Sequence, residues 1–340
     1  MDLKESPQYY HEVLKLIPPR SNPVFEEKGM QARVWGKRWG VYNDVGTLKM
    51  VLVHRPGDEI KQITADKFDP QVKAIIDIKE QWYWRRQNPP DLKKMQNEHD
   101  AMVAALRLEG VEVVNMEGCS PRDPKAMFVR DNAVALQGGA LIARMGPVGE
   151  DKGTGRRGEE FYAMKKLVEL GMPILRTIHG EGLFEGGSFA YIDEKTAVIG
   201  LSYRQNKEAA RQIEEVLAVH GVKLIQVPLT GYSLHLDGAF NMIDHQMAVV
   251  NSTRLPYWFL DLLKERKIHT IEVHHSDNYM VANCLAIRPG KVLYAINNGE
   301  GTAERMIKAG IKIIPIDYAE CQCNGGSIHC STMPIIREKD

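Results

Sequence analysis

The chain has 340 residues, with 44 lysines and arginines against 44 aspartates and glutamates, so its formal net charge at pH 7 is zero. This balance creates no overall field that would attract nucleic acid or an anionic membrane, and a small-molecule partner is the expectation. The sequence contains no run of about eighteen apolar residues and no amino-terminal signal pattern. Its five cysteines are an odd number scattered over a long chain. They predict free thiols and a reducing, cytoplasmic location.

An irregular amino-terminal arm is predicted for residues 1–46, in front of a single catalytic domain over residues 47–340. The first part of the arm is polar, mixed in charge and interrupted by prolines. Trp35 and Trp39 are the side chains expected to pack the arm onto the domain. The functional residues are therefore expected after residue 46.

The first unit of the domain begins with a strand over residues 48–54, which ends in the turn Arg55-Pro-Gly57. Residues 58–91 are polar and rich in aromatic side chains, and no element is assigned to them. A helix over residues 97–110 follows, with apolar side chains at helical spacing and a terminal glycine. The next strand covers residues 111–115.

A unit of two apolar strands, an amphipathic helix and a third strand then recurs. Each copy is too small to bury its own faces, so five units, counting the first, are expected to close around an axis. The predicted fold class is α/β: a five-bladed α/β propeller of ββαβ repeats with pseudo-fivefold symmetry. In chain order, the strands, helix and last strand of the four later copies are 133–136, 140–143, 159–170 and 173–175; 188–192, 196–199, 207–220 and 223–227; 239–243, 247–250, 257–265 and 270–273; and 282–287, 292–295, 303–309 and 312–316.

Polar motifs stand at equivalent places, in loops that enter or leave the inner strands of these units. In a radial fold such loops converge on the central axis, so residues far apart in sequence can share one pocket. The motifs are Phe128-Val-Arg-Asp131, Glu185-Gly-Gly-Ser188, Leu234-His-Leu-Asp237 and Cys321-Gln-Cys-Asn-Gly-Gly-Ser-Ile-His-Cys330.

The thiol of Cys330 is the candidate nucleophile, because the glycine pair before it permits a sharp turn that lifts a side chain into a cavity. His235 would transfer a proton, and Glu185 would orient that histidine or bind the substrate. A thiol, an imidazole and carboxylates around one hole suit a cationic, planar electrophile better than a peptide. Attack on a guanidinium carbon would leave a covalent S-alkyl-thiouronium, which water would then release. This chemistry needs no metal and no organic cofactor.

Substrate binding is assigned to a second set of side chains. Asp131 and Asp237 can each accept paired N–H bonds from a guanidinium, and Phe128 can cover its face. An amino acid substrate also needs a clamp for its α-carboxylate. The candidates for that clamp are Arg156, Arg157 and Arg204.

These motifs, in this order, resemble the guanidine-modifying pentein superfamily, which includes arginine deiminases, dimethylarginine dimethylaminohydrolases and amidinotransferases. The resemblance covers about residues 47–338, and several ordered motifs are far more specific than one. It implies the five-bladed propeller, a nucleophile at Cys330, and Glu185 and His235 as catalytic partners. An aspartate two residues after the histidine, Asp237, makes arginine deiminases the most similar group.

The chain also departs from the arginine deiminase pattern. The helical insertion typical of the bacterial enzymes is missing between about Val114 and Met127. His329 stands where those enzymes usually have arginine, and Asn132 stands where proline is common. The resemblance therefore leaves open whether the substrate is arginine itself.

The expected activity is hydrolysis of the guanidinium group of arginine or a related guanidino amino acid, giving a citrulline-type ureido product and ammonia. The alternatives are an amidinotransferase, a dimethylarginine dimethylaminohydrolase, and a non-catalytic propeller scaffold. Residues 58–91 and 146–158 are expected to form a rim or lid. A homodimer or a higher homo-oligomer is left open.

Each site residue also has a simpler interpretation. The cysteines and histidine of the last motif could bind zinc, although one residue between the first two cysteines is tighter than usual zinc spacing. Asp131 and Asp237 could be turn formers, and His235 a packed polar residue. Arg156 and Arg157 could be solvated, as basic pairs next to glycines commonly are. The convergence of the motifs favours a shared pocket.

Overall fold

A computed structural model describes residues 2–18, 27, 29–119, 123–146 and 155–339. Most of the loop 146–158, expected to act as a rim or lid, lies outside these residues. Within the described ranges, no helix is both long and apolar enough to cross a membrane.

Helices and strands alternate along most of the chain. The helices of the described ranges are α1 Tyr9–Lys15, α2 Met30–Trp35, α3 Leu92–Leu108, α4 Glu159–Glu169, α5 Lys207–Ala218, α6 Tyr257–Glu265, α7 Glu300–Lys308 and α8 Ala319–Gln322. The strands are β1 Leu48–Val53, β2 Phe68–Asp69, β3 Ala74–Asp77, β4 Trp82–Trp84, β5 Glu112–Asn115, β6 Ala133–Leu136, β7 Gly139–Ile142, β8 Ile174–Thr177, β9 Phe189–Asp193, β10 Thr196–Leu201, β11 Lys223–Pro228, β12 Phe240–Asp244, β13 Met247–Val250, β14 His269–Glu272, β15 Leu285–Arg288, β16 Lys291–Ala295, β17 Lys312–Ile316 and β18 Met333–Arg337.

Four three-stranded sheets repeat one topology, with strand orders β6-β7-β8, β11-β10-β9, β12-β13-β14 and β15-β16-β17. In each sheet the first two strands of the chain are antiparallel, and the third is parallel to the second. The parallel pair is joined through α4, α5, α6 or α7, since parallel strands need a crossover connection. The four later copies predicted from the sequence are confirmed, with ends that differ by a few residues.

A fifth sheet has the same topology but is assembled from distant parts of the chain. β1 and β5 are parallel and joined through α3, while β18 pairs antiparallel with β1. The strand that is first in every other unit is therefore last in the chain here. A pairing across nearly the whole sequence leaves no local pattern, and the predicted first unit lacked this strand.

Contacts link the five sheets in sequence order. β18 contacts β6, β9 contacts β12, β12 contacts β15, and β15 contacts β1. The short turns before β6 and β9 also contact each other. All residues of β6 are buried, as are the first four of β9 and β12 and the first three of β15. These strands carry the core, and the residues just before them lie at its edge.

Residues 58–91, unassigned from the sequence, contain a small antiparallel sheet of strand order β2-β3-β4. Trp82 and Trp84 are buried in it. The helix after it begins five residues earlier than predicted, at Leu92, because the Asp91 side chain accepts a hydrogen bond from the Lys94 amide and caps it.

The described part of the arm contacts the rest of the chain at defined points. Trp39 is fully buried, and the Gln31 side chain donates a 2.7 Å hydrogen bond to the Gly138 carbonyl. Trp35, expected to pack the arm, is 43% exposed, although its carbonyl accepts from the Trp39 ring nitrogen. Trp39 thus packs as predicted, whereas Trp35 contributes less burial than expected.

Candidate active site

Each first strand of the five sheets is preceded, two to four residues earlier, by a polar side chain. Because the sheets share one topology, this position falls at the same end of each first strand. Most of these five side chains contact another of the five or the turn next to it, as described below. The five residues are Asp131 before β6, Glu185 before β9, Asp237 before β12, Asn283 before β15 and Cys330 before β18.

A single 3-10 turn stands before each of the first three of these strands. Asp131 lies within the turn Val129–Asn132 and Asp237 within the turn Leu236–Gly238, whereas Glu185 directly precedes the turn Gly186–Ser188. Gly187 has a steric reason to be glycine, because an added Cβ would lie 2.8 Å from the Asp131 Oδ1 atom. Its amide instead donates a 3.1 Å hydrogen bond to that oxygen. The Glu-Gly-Gly motif thus allows two units to approach closely.

The Cys330 thiol is buried and held by two neighbours. Its Sγ atom lies 3.2 Å from Asn283 Nδ2 and 3.5 Å from Asp237 Oδ2. The Cys330 amide also donates to Asn283 Oδ1 at 3.2 Å. Burial, followed by the negative charges of Asp237 and Asp131, raises the pKa of the thiol well above its usual value. Without a ligand, this site therefore holds a neutral thiol.

His235 lies between two carboxylates. Its Nε2 atom is 2.7 Å from Glu185 Oε2, and its Nδ1 atom is 3.5 Å from Asp131 Oδ1. Burial alone would lower the pKa of His235, but Asp131 and Glu185 outweigh it and raise this pKa to about 9. Glu185, although buried, has its pKa lowered by the hydrogen bond from His235 and by Arg204. At neutral pH the imidazole is therefore a cation with a proton to give.

Asp237 faces a second imidazole. Its Oδ2 atom accepts from His329 Nδ1 at 2.8 Å and lies 3.5 Å from the Cys330 sulfur. Burial, followed by the charge of Arg130, lowers the pKa of His329. The Asp237 pKa is also lowered, because the His329 hydrogen bond outweighs the effect of burial. Within the described chain both contacts are made by Oδ2, which leaves Oδ1 for a ligand.

The three arginines proposed for the carboxylate clamp lie in different environments. Arg204 Nη1 bonds Glu185 Oε1 at 2.9 Å. Arg156 is held by two carboxylates: Nη1 contacts Asp131 Oδ2 at 2.5 Å, and Nε and Nη2 bond both oxygens of Glu159 at 2.9 and 2.7 Å. Both arginines line the cavity, but they orient acidic side chains there.

Arg157 has the weakest connection to the site. Its Nε and Nη2 atoms donate to the Met145 carbonyl at 2.9 and 2.7 Å. It is not among the residues that line the cavity around Cys330. The sequence did not distinguish it from Arg156, because both follow the same glycine.

Phe128 lies against the glycine pair that precedes Cys330. A Cβ added at Gly326 would come within 2.6 Å of the Phe128 ring, and one at Gly325, where φ is +100°, within 2.6 Å of the Tyr83 hydroxyl. The two glycines thus make room for aromatic rings as well as for the turn. Phe128 lines the cavity around Cys330.

The site opens into two connected spaces. The inner cavity is lined by Asp131, Glu185, His235, Cys330, Phe128 and Arg204 among others. The outer cavity shares Tyr83, His235 and Cys330 with the inner one. Its further lining includes Asp237, Arg85, Arg254, Tyr203, Tyr232 and Tyr279.

Several polar residues of the site were not predicted, among them Lys125 and Asn283, as well as Tyr83, Arg85 and Arg254 in the cavity lining. Lys125, which is buried, donates from Nζ to the Tyr83 carbonyl at 2.5 Å and also contacts the Asn324 carbonyl. No motif marks it. Asn283, in contrast, occupies the position that Asp131 and Glu185 occupy in their units, so aligning the repeats would have found it.

Two groups of described side chains bring three metal-ligating atoms within 4.8 Å of one another. They are Asp131, Glu185 and His235 in the cavity, and His54, Glu59 and Cys119 outside it. The cysteines of the last motif make separate contacts: Cys321 Sγ donates to the Met95 carbonyl at 3.4 Å, and Cys323 Sγ to Ala319 at 3.2 Å. The zinc interpretation of that motif therefore receives no support from their geometry.

Comparison with known families agrees with this geometry. The sequence profile of the family described as "N,N dimethylarginine dimethylhydrolase, eukaryotic" matches residues 66–337. Protein YkgA of Bacillus subtilis, described as uncharacterized, is 29% identical, covering 72% of this chain and 82% of its own length. The N(G),N(G)-dimethylarginine dimethylaminohydrolase of Pseudomonas aeruginosa is 25% identical, covering 72% and 89%. An arginine deiminase of Mycoplasma capricolum is 22% identical, covering 89% and 98%.

A solved structure supports the fold. The dimethylarginine dimethylaminohydrolase of Pseudomonas aeruginosa, complexed with citrulline, superimposes with a TM-score of 0.66 at 21% identity. The match covers 84% of this chain and 99% of that one. At such identity the likeness establishes the mixed α/β fold.

Proposed function

The chain belongs to the N,N dimethylarginine dimethylhydrolase family, within the guanidine-modifying pentein superfamily, and from that membership we propose that it hydrolyses the guanidinium group of arginine or a related guanidino amino acid, N-methylated arginines included. The observation that carries the proposal is the inner cavity. It places the Cys330 thiol with a protonated His235 and two carboxylates, Asp131 and Glu185, and Asp237 contacts the same thiol. Such a set suits a planar cation.

Binding of a guanidinium would activate the nucleophile. The carboxylates that raise the pKa of the Cys330 thiol, Asp237 and Asp131, are the ones that would pair with the substrate. A cation bound between them offsets their charge and so favours the thiolate. The Oδ2 atom of Asp237, 3.5 Å from the sulfur, is placed to accept the thiol proton.

The reaction then follows from the charge state of His235. The sulfur bonds to the guanidinium carbon, and His235 protonates the departing nitrogen as its bond to carbon breaks. An S-alkyl-thiouronium remains on Cys330. His235, now neutral, takes a proton from water, and the resulting hydroxide attacks the same carbon. The carbon–sulfur bond then breaks: the sulfur takes back the proton held by Asp237, and the new hydroxyl group loses its proton to the released amine. A ureido product and the free thiol remain.

The outer cavity supports a substrate with an anionic end. Arg85 and Arg254 line it, and neither takes part in an ion pair with the described residues. Arg204 and Arg156, predicted as clamps, are already paired with Glu185 and Asp131. We therefore assign the α-carboxylate to the Arg85 and Arg254 side, with the guanidinium at the inner end.

The architecture proposed with this function is the five-bladed propeller. The shared sheet topology and the contacts from β18 to β6, β9 to β12, β12 to β15 and β15 to β1 support it. Residues 1–46 would form an arm on this single domain.

A mass-resolved product assay tests the proposal. Purified protein is incubated with arginine, methylated arginines, agmatine or guanidinoacetate, each with and without glycine or ornithine as acceptor. We expect a ureido product without acceptor, and ammonia or a methylamine that identifies the substrate. The Cys330→Ser variant, matched in size, is expected to lose at least about 10⁴-fold in kcat/KM.

Three outcomes would contradict the proposal. Turnover that requires an amine acceptor would make the protein an amidinotransferase. Inactivity on every guanidine would favour a binding scaffold. Equal turnover of arginine and agmatine would remove the carboxylate assignment to Arg85 and Arg254, because agmatine lacks that group.

A further inference from the structure

A second group of reactive side chains lies outside the cavity, where β1 ends. We propose that His54, Glu59 and Cys119 bind a divalent cation of borderline softness, and that Zn²⁺ is the ion that fits. Their ligand atoms, one per residue, all lie within 4.8 Å of one another. None of the three lines the inner or outer cavity.

The imidazole of His54 is oriented as metal-bound histidines are. Its Nδ1 atom lies 2.7 Å from the Met116 carbonyl, which can only accept, so Nδ1 carries the hydrogen. The Nε2 atom is buried and has no hydrogen-bond partner among the described atoms. A backbone carbonyl that fixes the tautomer and leaves the other nitrogen for the ion is the usual outer shell of a histidine ligand.

The Glu59 carboxylate is placed next to that nitrogen. Its Oε1 atom accepts from the Gly57 amide at 2.6 Å and lies 3.4 Å from His54 Nε2. Two ligands bound at about 2.1 Å in a tetrahedral site are about 3.4 Å apart. His54 and Glu59 are 6% and 5% exposed, so two ligands are preset in a buried site.

Cys119 supplies a soft third ligand at the solvent side. The Met116 amide bonds the Val53 carbonyl at 2.7 Å and ties the segment before Cys119 to the end of β1. A cation bound there would take the place of the Cys119 thiol proton, because cysteine binds metals as the thiolate. Thiolate and imidazole ligands select Zn²⁺ over Ca²⁺ and Mg²⁺, which prefer oxygen alone.

Charge and access agree with this assignment. A thiolate and a carboxylate together neutralise a divalent ion, so the filled site would bury no net charge. Cys119 is only half-buried, which leaves a path for the ion and a place for a water as fourth ligand.

Cobalt titration of the full chain tests the site, because a thiolate bound to Co²⁺ gives a near-ultraviolet charge-transfer band. We expect one Co²⁺ per chain with that band. Zn²⁺ should displace it, because these side chains bind Zn²⁺ more tightly than Co²⁺. Cys119→Ser should abolish the band and weaken Zn²⁺ binding by at least about 100-fold. Cys323→Ser is the matched control, since Cys323 is also half-buried and lies outside the group.

A second measurement uses the unaltered protein. Zn²⁺ should protect Cys119, and not Cys323, from alkylation detected by peptide mass spectrometry. The proposal is overturned if the chain gives no band, if the band survives Cys119→Ser, or if Cys330→Ser removes it. Binding to Asp131, Glu185 and His235 instead would give an ion without a thiolate band.

Discussion

Two imidazole–carboxylate pairs lie around the Cys330 thiol, and their imidazoles differ in charge. At neutral pH His235 is protonated, whereas His329 is neutral. His235 is 2.7 Å from Glu185, and His329 is 2.8 Å from Asp237. The contacts are almost equal in length, yet the pKa of His235 is raised to about 9 and that of His329 is lowered.

The difference between the two pKa values comes from the second charged group beside each imidazole. Burial lowers the pKa of both imidazoles, but His235 has a second carboxylate, Asp131, at 3.5 Å, whereas His329 lies beside the Arg130 cation. A hydrogen bond to a carboxylate therefore does not fix the charge of a histidine; the sum of neighbouring charges does. The first pair therefore has a proton that it can give at neutral pH, and the second holds Asp237 with a neutral donor.

The sharpest way to test this division is to remove the proton donor. In His235→Gln the amide cannot transfer a proton, and kcat/KM for the guanidino substrate should fall about 10³-fold. The measurement is the steady-state rate of ureido product. A loss below tenfold would mean that another group protonates the leaving nitrogen.

Changing the carboxylate should move the proton as well as the rate. Glu185→Gln removes one of the charges that raise the pKa of His235, so the alkaline limb of the kcat/KM profile should shift down by about one pH unit. We expect kcat/KM at pH 7 to fall about 100-fold. An unshifted limb would show that Glu185 does not set the pKa of His235.

The pH dependence of kcat/KM in the unaltered protein tests the same assignment. Since His235 must be protonated to act as an acid and its pKa is about 9, kcat/KM should fall above that pH, by about tenfold per unit. A profile that falls already above pH 7 would contradict the raised pKa.

The free energy of unfolding should also depend on the protonation of His235. The pKa of His235 in the folded protein, about 9, exceeds the ordinary histidine value of 6.5. The stabilisation of the fold by protonated His235 is therefore complete below pH 6.5 and is lost as the pH rises to 9. The melting temperature should decrease over that window, and less so in His235→Gln, which serves as the control.

The neutral pair should be the most tolerant. His329→Gln keeps a neutral N–H donor for Asp237, and we expect kcat to change by less than about threefold. His329→Leu leaves Asp237 without that donor and should cost about tenfold. If both variants were as damaging as His235→Gln, the two pairs would share one role.

The repeated units were predictable because each is encoded locally. The apolar run over residues 133–136 and the helical spacing over 159–170 correspond to β6 and α4 almost residue for residue. Glycines end these elements, so both period and boundary are visible.

Other elements lack such signals. Residues 58–91 turn through Lys73 at φ +54° and Gln81 at φ +60°, where the usual turn residues glycine and asparagine are absent. In this segment β2 and β4 have only two and three residues, which is too few to show a period.

Within the site, the motifs identified Asp131, Glu185, His235 and Cys330 of the inner cavity, because each motif precedes a buried strand. They could not reveal the partners. Arg156 bonds Asp131 rather than being free for a substrate, and Asn283 holds Cys330, through contacts between side chains of different units. Such contacts depend on three-dimensional packing, which a motif does not encode.

The pairing of β18 with β1 has a consequence for biosynthesis. The ribosome makes β1 early, but its antiparallel partner, and Cys330 three residues before that partner, follow all the other strands. The sheet next to Cys330 can therefore form only after residues 330–337 leave the exit tunnel. A nascent chain that carries the motifs of Asp131, Glu185 and His235 still lacks the Cys330 thiol, so translation itself delays assembly of the cavity until the rest of the scaffold is made.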